Sequence, residues 1–499
     1  MTESYEINGL QEKEEWDVVR EKPQERPEEP RPERIRRLAR QLGLVSLASF
    51  SYFSLGAALP WPSPALSDLA ENNSTLFGTE ISLNSAEKDM TGSLLYLGTL
   101  VGAWVSGWVV AKIGRLRSMQ AIVVPYLGGW IIVALAPSTP VLLIGRFIIG
   151  LACGGTTIAG YSYVIELSDV SVRGMAATIP TMGVVLGGLY TVCFGYVLPW
   201  HYLSMICALP PLLFFLVTFV LPMSPSFLVV QGRRQQAIVI LKQLRGNYAN
   251  VELEVSELER RNAVSDDGRR GGWRDLLQRD VLRPIIVVVV LFLLMQLCGN
   301  FVFMIYTARI LEATGAPMDP DAITAIAGAL RVAGTLAAIL LLDIVGRRYL
   351  LIISHAINAV CLIILGAYAH LADNADPDDT TYKELTWVPT VCVTVALFIC
   401  DIGVHPVPYI VASEYFPTRI RAQVGPPPLR LEKLLMRCDM IPQFFFLLKH
   451  YSIVYKHIPN QTCPEICIIR SGNIFSYFFT SFYIVICHYM SLTPTLFLL

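Results

Sequence analysis

The sequence predicts an all-α membrane protein built from two related halves, and three observations support this prediction. The 499-residue chain is 54% hydrophobic and only 16% charged, with a mean hydropathy of +0.51. A soluble protein of this length needs more charge to cover its surface. Apolar runs long enough to cross a bilayer recur along the chain. In addition, two short motifs from the first half recur in the same order in the second half.

Ten apolar segments reach membrane-spanning length, and we number them spans 1 to 10. Several are rich in glycine and proline, which transmembrane helices tolerate. The alternative, a large soluble core, requires shorter and more amphipathic segments. The ten spans are residues 42–62, 91–111, 119–137, 140–165, 176–198, 201–221, 284–308, 322–342, 349–371 and 387–412. We therefore expect a multi-pass protein in a lipid bilayer.

The spans divide the chain into five parts. The first part is charged and proline-rich, which predicts a disordered cytoplasmic tail. The last part contains lysine and histidine inside its apolar stretches and does not continue the pattern of the spans. The parts are the tail 1–41, a six-helix half 42–221, a cytoplasmic central segment with short helices 222–283, a second half 284–423 carrying spans 7 to 10, and an atypical tail 424–499 in place of spans 11 and 12.

The distribution of charge predicts which ends of the spans face the cytoplasm. Basic residues follow spans 2, 4, 6 and 8, whereas the opposite loops are acidic. Under the positive-inside rule this pattern places the N-terminus in the cytoplasm. The first external loop then carries two overlapping glycosylation sequons, at Asn72 and Asn73.

Two motifs are repeated. Gly114-Arg115 follows span 2, and Gly346-Arg347 follows span 8. Glu166 precedes Arg173 by seven residues after span 4, and Glu414 precedes Arg421 by seven residues after span 10. A duplicated six-helix unit is typical of secondary transporters, whose substrate site lies between the two halves.

These charges suggest a latch between the halves. Seven residues make about two helical turns, so Glu166 and Arg173 share one face if the helix continues. We expect Glu166 to pair with Arg347 or Arg348, and Glu414 to pair with Arg115 or Arg117. Such pairs form only when the cytoplasmic ends are close together, and they break when the protein opens inward. The alternative is that the arginines only fix the topology.

Over roughly residues 42 to 423 the chain resembles the sugar porters of the major facilitator superfamily, and among them the insect facilitated trehalose and hexose transporters. The matching pieces include "YSYVIELSDVSVRG", "LMQLCGNFVFMIYT" and "DIVGRR". The most specific piece is "GVHPVPYIVASEYFPTRIR", with its Pro-x-Pro-aromatic and Glu-x-Phe-Pro patterns. The resemblance implies the major facilitator fold of two six-helix repeats, here with about ten clear transmembrane helices.

The resemblance also implies roles for individual residues. A binding site for a neutral sugar needs amides and hydroxyls that bond the sugar hydroxyls, and an aromatic side chain that packs on the apolar face of the ring. Thr181 stands where the family has glutamine, and Tyr409 stands where it has tryptophan. Ordinary helix–helix hydrogen bonds are the alternative role for each. The expected substrate residues are Gln296, Asn300, Tyr306, Thr181 and Tyr409. The expected gating residues are Arg115, Arg117, Arg146, Glu166, Arg173, Asp343, Arg347, Arg348, Asp401, Glu414 and Arg421.

We therefore expect a monomeric plasma-membrane protein that moves trehalose or a hexose by facilitated diffusion. No nucleotide-binding loop and no catalytic acid pair stand out in the sequence. We therefore expect neither an enzyme nor an ATP-driven pump. No cofactor, metal or nucleic acid is expected. Two alternatives stay open. Asp401 keeps a proton-coupled sugar symporter possible, although span 1 has no acid, and the tail after residue 424 is compatible with a transport-inactive truncated or splice-variant isoform.

Overall fold

A computed structural model describes residues 30–71, 74–169, 172–246, 250–266, 279–299, 320–374 and 385–415, together with residues 303, 307 and 311. Within these ranges the backbone is helical apart from short connections and one isolated β-bridge, between Ser74 and Glu80. Nine helical stretches of the described residues are long and apolar enough to cross a membrane, and three of these stretches contain more than one of the helices named below. A shorter apolar stretch covers Ile286–Met295. The prediction of an all-α membrane protein is confirmed.

The N-terminal half contains eight helical segments, which are α1 Arg31–Ala58, α2 Pro62–Glu71, α3 Ser85–Ile113, α4 Arg115–Ala134, α5 Thr139–Leu167, α6 Arg173–Gly195, α7 Trp200–Cys207 and α8 Leu209–Val217. Three short helices follow in the central segment, namely α9 Pro225–Val230, α10 Arg234–Arg245 and α11 Val251–Asp266. The described part of the C-terminal half comprises α12 Arg279–Leu297, α13 Pro320–Ile344, α14 Arg347–Asn374, α15 Trp387–Ile399, a π-helical turn Cys400–Val404 and α16 Pro406–Tyr415.

The prediction of a disordered tail over residues 1–41 is wrong for residues 31–41, because α1 begins at Arg31. Arg37 forms an ion pair with Asp169 at 2.8 Å, beyond the end of α5. The amide of Gln41 donates to the carbonyl oxygen of Leu244 in α10, and its oxygen accepts from the backbone N–H of Asp169. These contacts with neighbouring segments hold the charged extension of α1 in a helix.

The glycines after spans 2 and 8 occupy equivalent turns. Gly114 and Gly346 each have φ of +85°, a left-handed conformation that residues with a Cβ rarely adopt. Each glycine ends one helix, and an arginine begins the next helix immediately after it. We call the end of the molecule that carries both turns the Gly-Arg end. The repeat seen in the sequence is thus present in the backbone.

Glycines also allow α3 and α5 to pack with their backbones in contact. A Cβ placed on Gly150 would lie 2.2 Å from the carbonyl oxygen of Leu95, and one on Gly154 would lie 2.1 Å from that of Thr99. Small residues at such positions are typical of helix pairs in membranes, where close van der Waals contact drives association. This packing forms much of the N-terminal half.

The two halves meet where α6 packs against α13 and α16. A Cβ on Gly328 of α13 would lie 3.2 Å from the Cδ1 atom of Leu189 of α6, so this contact is close and apolar. Because α6 belongs to the first half and α13 and α16 to the second, the interface joins the two repeats.

Replacing Gly150 by alanine tests the packing of α3 against α5. The new methyl group overlaps the carbonyl of Leu95, so we expect Gly150→Ala to lower the free energy of unfolding by about 1–3 kcal/mol. Gly128→Ala on α4 is the matched control, because nothing lies within 4 Å of its Cβ position. It should gain about 0.5–1 kcal/mol from helix propensity. Unfolding in detergent measures both, and equal effects of the two changes contradict the packing described.

Candidate functional site between the two halves

The structure describes the side chains of two of the five expected substrate residues. Thr181 lies half-buried on α6, and Tyr409 lies half-buried on α16. Gln296 belongs to the last turn of α12, but its side chain is outside the described part of the chain, as are Asn300 and Tyr306 entirely. The substrate roles of all five stay predictions.

Tyr409 forms a second contact between the halves, besides the packing of α6. Its carbonyl oxygen accepts a hydrogen bond of 2.7 Å from the hydroxyl of Tyr161, which lies on α5 in the N-terminal half. The two rings are 6.1 Å apart, and the ring of Phe292 on α12 meets that of Tyr409 edge to face at 4.9 Å. Such arrangements are favourable for aromatic pairs. Sequence reasoning missed Tyr161 and Phe292, although Tyr161 begins one of the motifs of the family resemblance.

The helices around this contact are interrupted. The helix α12 ends at Leu297, and Gly299 has φ of +81°. The tenth span changes from α15 to a π-helical turn, in which the backbone N–H of His405 donates to the carbonyl of Cys400 at 2.9 Å, and α16 then begins at Pro406. Breaks of this kind occur frequently at functional sites. Both α12 and the tenth span are thus interrupted near Tyr409.

Asp401 was expected to be a gating residue, and it has two partners that the sequence reasoning did not name. Its carboxylate accepts hydrogen bonds from Arg331 Nε at 2.6 Å and Nη2 at 3.3 Å. His405 Nδ1 lies 2.9 Å from the same carboxylate. The Asp401 side chain is completely buried, and the other two are less than 10% exposed. An arginine inside an apolar span was the available signal for Arg331.

Glu166 does not make the pair expected of it. Its carboxylate forms an ion pair of 3.0 Å with Arg115, and it also accepts from the hydroxyl of Ser224. The latch prediction is therefore wrong for Glu166, which was expected to pair with Arg347 or Arg348. The physical reason is that α4 begins and α5 ends at the Gly-Arg end, so their charges are neighbours within one half. The other expected pair, Glu414 with Arg115 or Arg117, stays a prediction, because the side chain of Glu414 lies outside the described residues.

The condition for a common face of Glu166 and Arg173 is not met, because α5 ends at Leu167 and a new helix begins at Arg173. Arg117 is exposed, and Arg347 and Arg348 are half-buried. Several expected gating or modified residues cannot be placed in full. The side chains of Arg173, Asp343 and Glu414, and all of Arg421, Asn72 and Asn73, lie outside the described residues.

Arg146 is buried at the end opposite the Gly-Arg end. Its Nε donates to the carbonyl of Thr91 at 3.1 Å, and its Nη1 donates to the carbonyl of Ala58 at 3.0 Å. The guanidinium also lies 5.0 Å from the ring centre of Trp61. A cation over an aromatic face is attracted by the ring's electrons. Arg146 therefore ties α5 to α1 and α3 within the N-terminal half.

Comparisons with known proteins agree with these features. Residues 63–425 match the family described as "Sugar (and other) transporter". The facilitated trehalose transporter Tret1 of Apis mellifera ligustica is 26% identical over 77% of this chain and 75% of the relative. The Bombyx mori protein of the same name is 30% identical, covering 68% and 67%. The match to the Drosophila virilis protein spans only 41% of that relative's length.

Solved structures show the same fold. The proton:xylose symporter XylE bound to 6-bromo-6-deoxy-D-glucose superposes with a TM-score of 0.67 at 19% identity, covering 89% of this chain and 95% of the other. An autoinhibited peptide transporter of the POT family superposes with a TM-score of 0.56 at 13% identity. The likeness at these identities shows the fold alone. The helical architecture and the family match over most of the chain together establish that this protein belongs to the sugar transporter family of the major facilitator superfamily.

Proposed function

We propose that this chain moves a neutral sugar, trehalose or a hexose, across the plasma membrane by facilitated diffusion. The observation that carries the proposal is the contact between Tyr161 and Tyr409, which joins the two halves beside interrupted helices. In a transporter with the site between its repeats, such a contact opens and closes access to the site. The relatives named as trehalose transporters support a sugar as the substrate.

The chemistry of the described residues suits a neutral ligand. Tyr409 and Phe292 supply aromatic surface for the apolar face of a sugar ring, and Thr181 supplies a hydroxyl on the facing half. Gln296, Asn300 and Tyr306 complete the proposed set with two amides and a phenol. The charged side chains near this region are engaged with one another, as Asp401 and Arg331 show. Neutral polar groups therefore remain to bind the substrate.

Closure of the Gly-Arg end accompanies the Tyr161–Tyr409 contact. Tyr161 lies near the end of α5, which ends at Leu167 at the Gly-Arg end. Breaking one hydroxyl–carbonyl bond and separating aromatic rings costs little compared with breaking an ion pair. We propose that the halves rock about α6 and α13, so that this contact is made when the opposite end is open.

The basic residues at the Gly-Arg end support a cytoplasmic location for that end and for the N-terminus. On this orientation the sequons at Asn72 and Asn73 are external and available for glycosylation. We also propose that the chain acts as a monomer. We propose that it divides into a tail that ends before α1, the two halves up to residue 221 and over 284–423, the central segment 222–283 and the last segment 424–499. The transport experiment below uses the full chain, so it also tests whether a chain with the segment 424–499 transports sugar.

Uptake of labelled trehalose and glucose by cells expressing the full chain tests the proposed function. We expect saturable uptake that stops when the internal and external concentrations are equal, because facilitated diffusion has no energy source. Surface delivery is measured in parallel by labelling from outside. Uptake that concentrates the sugar contradicts facilitated diffusion, and a chain that reaches the surface but moves neither sugar contradicts the proposal.

Replacing Thr181 by valine tests whether this residue contacts the sugar. The change keeps the shape of the side chain but removes the hydroxyl, so we expect the KM for uptake to rise about two- to tenfold. Thr394→Val is the matched control, because the hydroxyl of Thr394 bonds to the carbonyl of Thr390 within its own helix. If the two variants have the same KM, Thr181 does not bind substrate.

Replacing Glu166 by glutamine tests the ion pair at the Gly-Arg end. Arg115 is only 1% exposed, so we expect loss of the carboxylate to lower the free energy of unfolding by about 2–3 kcal/mol. Glu259→Gln removes the partner of Arg234 in a pair that is 42% and 49% exposed, and it should change stability by less than about 0.5 kcal/mol. Thermal unfolding of the purified protein compares them. A Glu166→Gln variant as stable as the control shows that the pair does not brace this half.

A further inference from the structure

Three side chains form a buried charged cluster in the C-terminal half, which we call the Arg331 cluster. It consists of Arg331 on α13, Asp401 in the π-helical turn and His405 directly after that turn. Arg331 donates through two of its nitrogens to the Asp401 carboxylate, and His405 Nδ1 lies beside one of the same carboxylate oxygens. Because charges are costly inside a membrane protein, such residues are kept where they have a role.

The backbone next to the cluster lacks two of the donors of a regular α-helix. In the π-helical turn the N–H of His405 bonds five residues back, to Cys400, instead of four. Pro406 and Pro408 have no N–H, so the carbonyl oxygens of Ile402 and Val404 lack the donors that an α-helix would place four residues later. Side-chain hydrogen bonds therefore add to the support of this turn, and the paired hydrogen bonds from Arg331 join it to α13.

The same bend determines where Tyr409 lies. Tyr409 follows His405 by four residues, about one turn of α16. Its carbonyl oxygen is the acceptor for Tyr161 of the other half, and its ring meets Phe292. A small rotation of the bend displaces that carbonyl from the Tyr161 hydroxyl, because a hydrogen bond weakens steeply with misalignment.

We propose that Arg331 is a positioning residue for the contact between the halves: it holds the π-helical turn through Asp401 and so places the Tyr409 carbonyl within reach of Tyr161. Its role in transport rests on the proposed function, since the contact is the proposed gate. The positioning of the Tyr409 carbonyl by Arg331 is a property of the folded chain, so it can be tested without measuring transport.

The simpler alternative is that the Arg331 cluster only stabilises the C-terminal half. In that case the Tyr161 hydrogen bond is independent of Arg331, and the effects of changing the two residues add, as they do for distant sites without a shared partner. If Arg331 positions the acceptor of Tyr161, the effects do not add, because the first change already breaks the bond that the second removes.

A double-mutant cycle on the purified full chain separates these possibilities. Arg331→Lys keeps the charge but removes the paired hydrogen bonds of the guanidinium, and Tyr161→Phe removes only the hydroxyl. Tyr190→Phe is the matched control, because the Tyr190 hydroxyl also bonds a backbone carbonyl, that of Ile206 at 3.0 Å, but within one half. The unfolding midpoint is measured for each variant alone and combined with Arg331→Lys. If Arg331→Lys yields no folded protein, His405→Leu takes its place in the cycle.

We expect the Tyr161→Phe shift to disappear in the Arg331→Lys background, while the Tyr190→Phe shift remains. Tyr161→Phe and Arg331→Lys shifts that add overturn the proposal. The same variants are then tested for uptake, where Tyr161→Phe should change the KM about fivefold in the native background and little in Arg331→Lys. If the midpoints are coupled but even the native chain moves no sugar, the positioning role stands and the proposed function fails. If the native chain transports and the cycle is additive, the positioning role fails alone.

Discussion

A charged side chain inside a membrane must have a partner, and this constraint organises the molecule. Arg115 pairs with Glu166, Arg331 pairs with Asp401, and Arg146 donates to backbone carbonyls. Each of these sets lies within one half. Two contacts between the halves are of another kind, namely the bond from Tyr161 to the Tyr409 carbonyl and the close packing of Gly328 on Leu189. The buried ion pairs brace each half, and they stay intact when the halves part.

The constraint also connects the fold to the proposed transport cycle. Backbone contact between glycine-bearing helices and buried ion pairs make each half stiff, so motion is expected where the contacts are weakest, between the halves. The interrupted tenth span lies at that place, with a π-helical turn, two prolines and Tyr409 within ten residues. Two stiff halves with one interrupted span between them can open and close at that span. The neutral groups around the bend are suited to a substrate that carries no charge.

Much of the fold could be predicted from the sequence, because the apolar spans and the glycine turns are set by residues that are neighbours in the chain. The apolar runs marked the spans, and the repeated Gly-Arg motif marked two turns that share φ of +85°. The errors concern partners, which depend on packing. Glu166 was assigned an arginine from the wrong half because sequence spacing does not show that the start of α4 lies beside the end of α5. Arg331 and Tyr161 were missed for the same reason, since their partners lie 70 and 248 residues away. The helix at residues 31–41 depends on contacts with Asp169 and Leu244, which its own composition does not reveal.

The distance across the Gly-Arg end, measured with and without sugar, tests the division into two stiff halves most directly. Spin labels on Ile113→Cys and Tyr349→Cys report the separation of the halves, since Ile113 ends α3 and Tyr349 lies in the first turn of α14. Labels on Ile113→Cys and Met175→Cys report a separation within the N-terminal half. We predict that trehalose or glucose changes the distribution of the first distance and leaves the second unchanged. A first distance that does not respond while uptake proceeds, or a second that changes equally, contradicts rocking of two stiff halves.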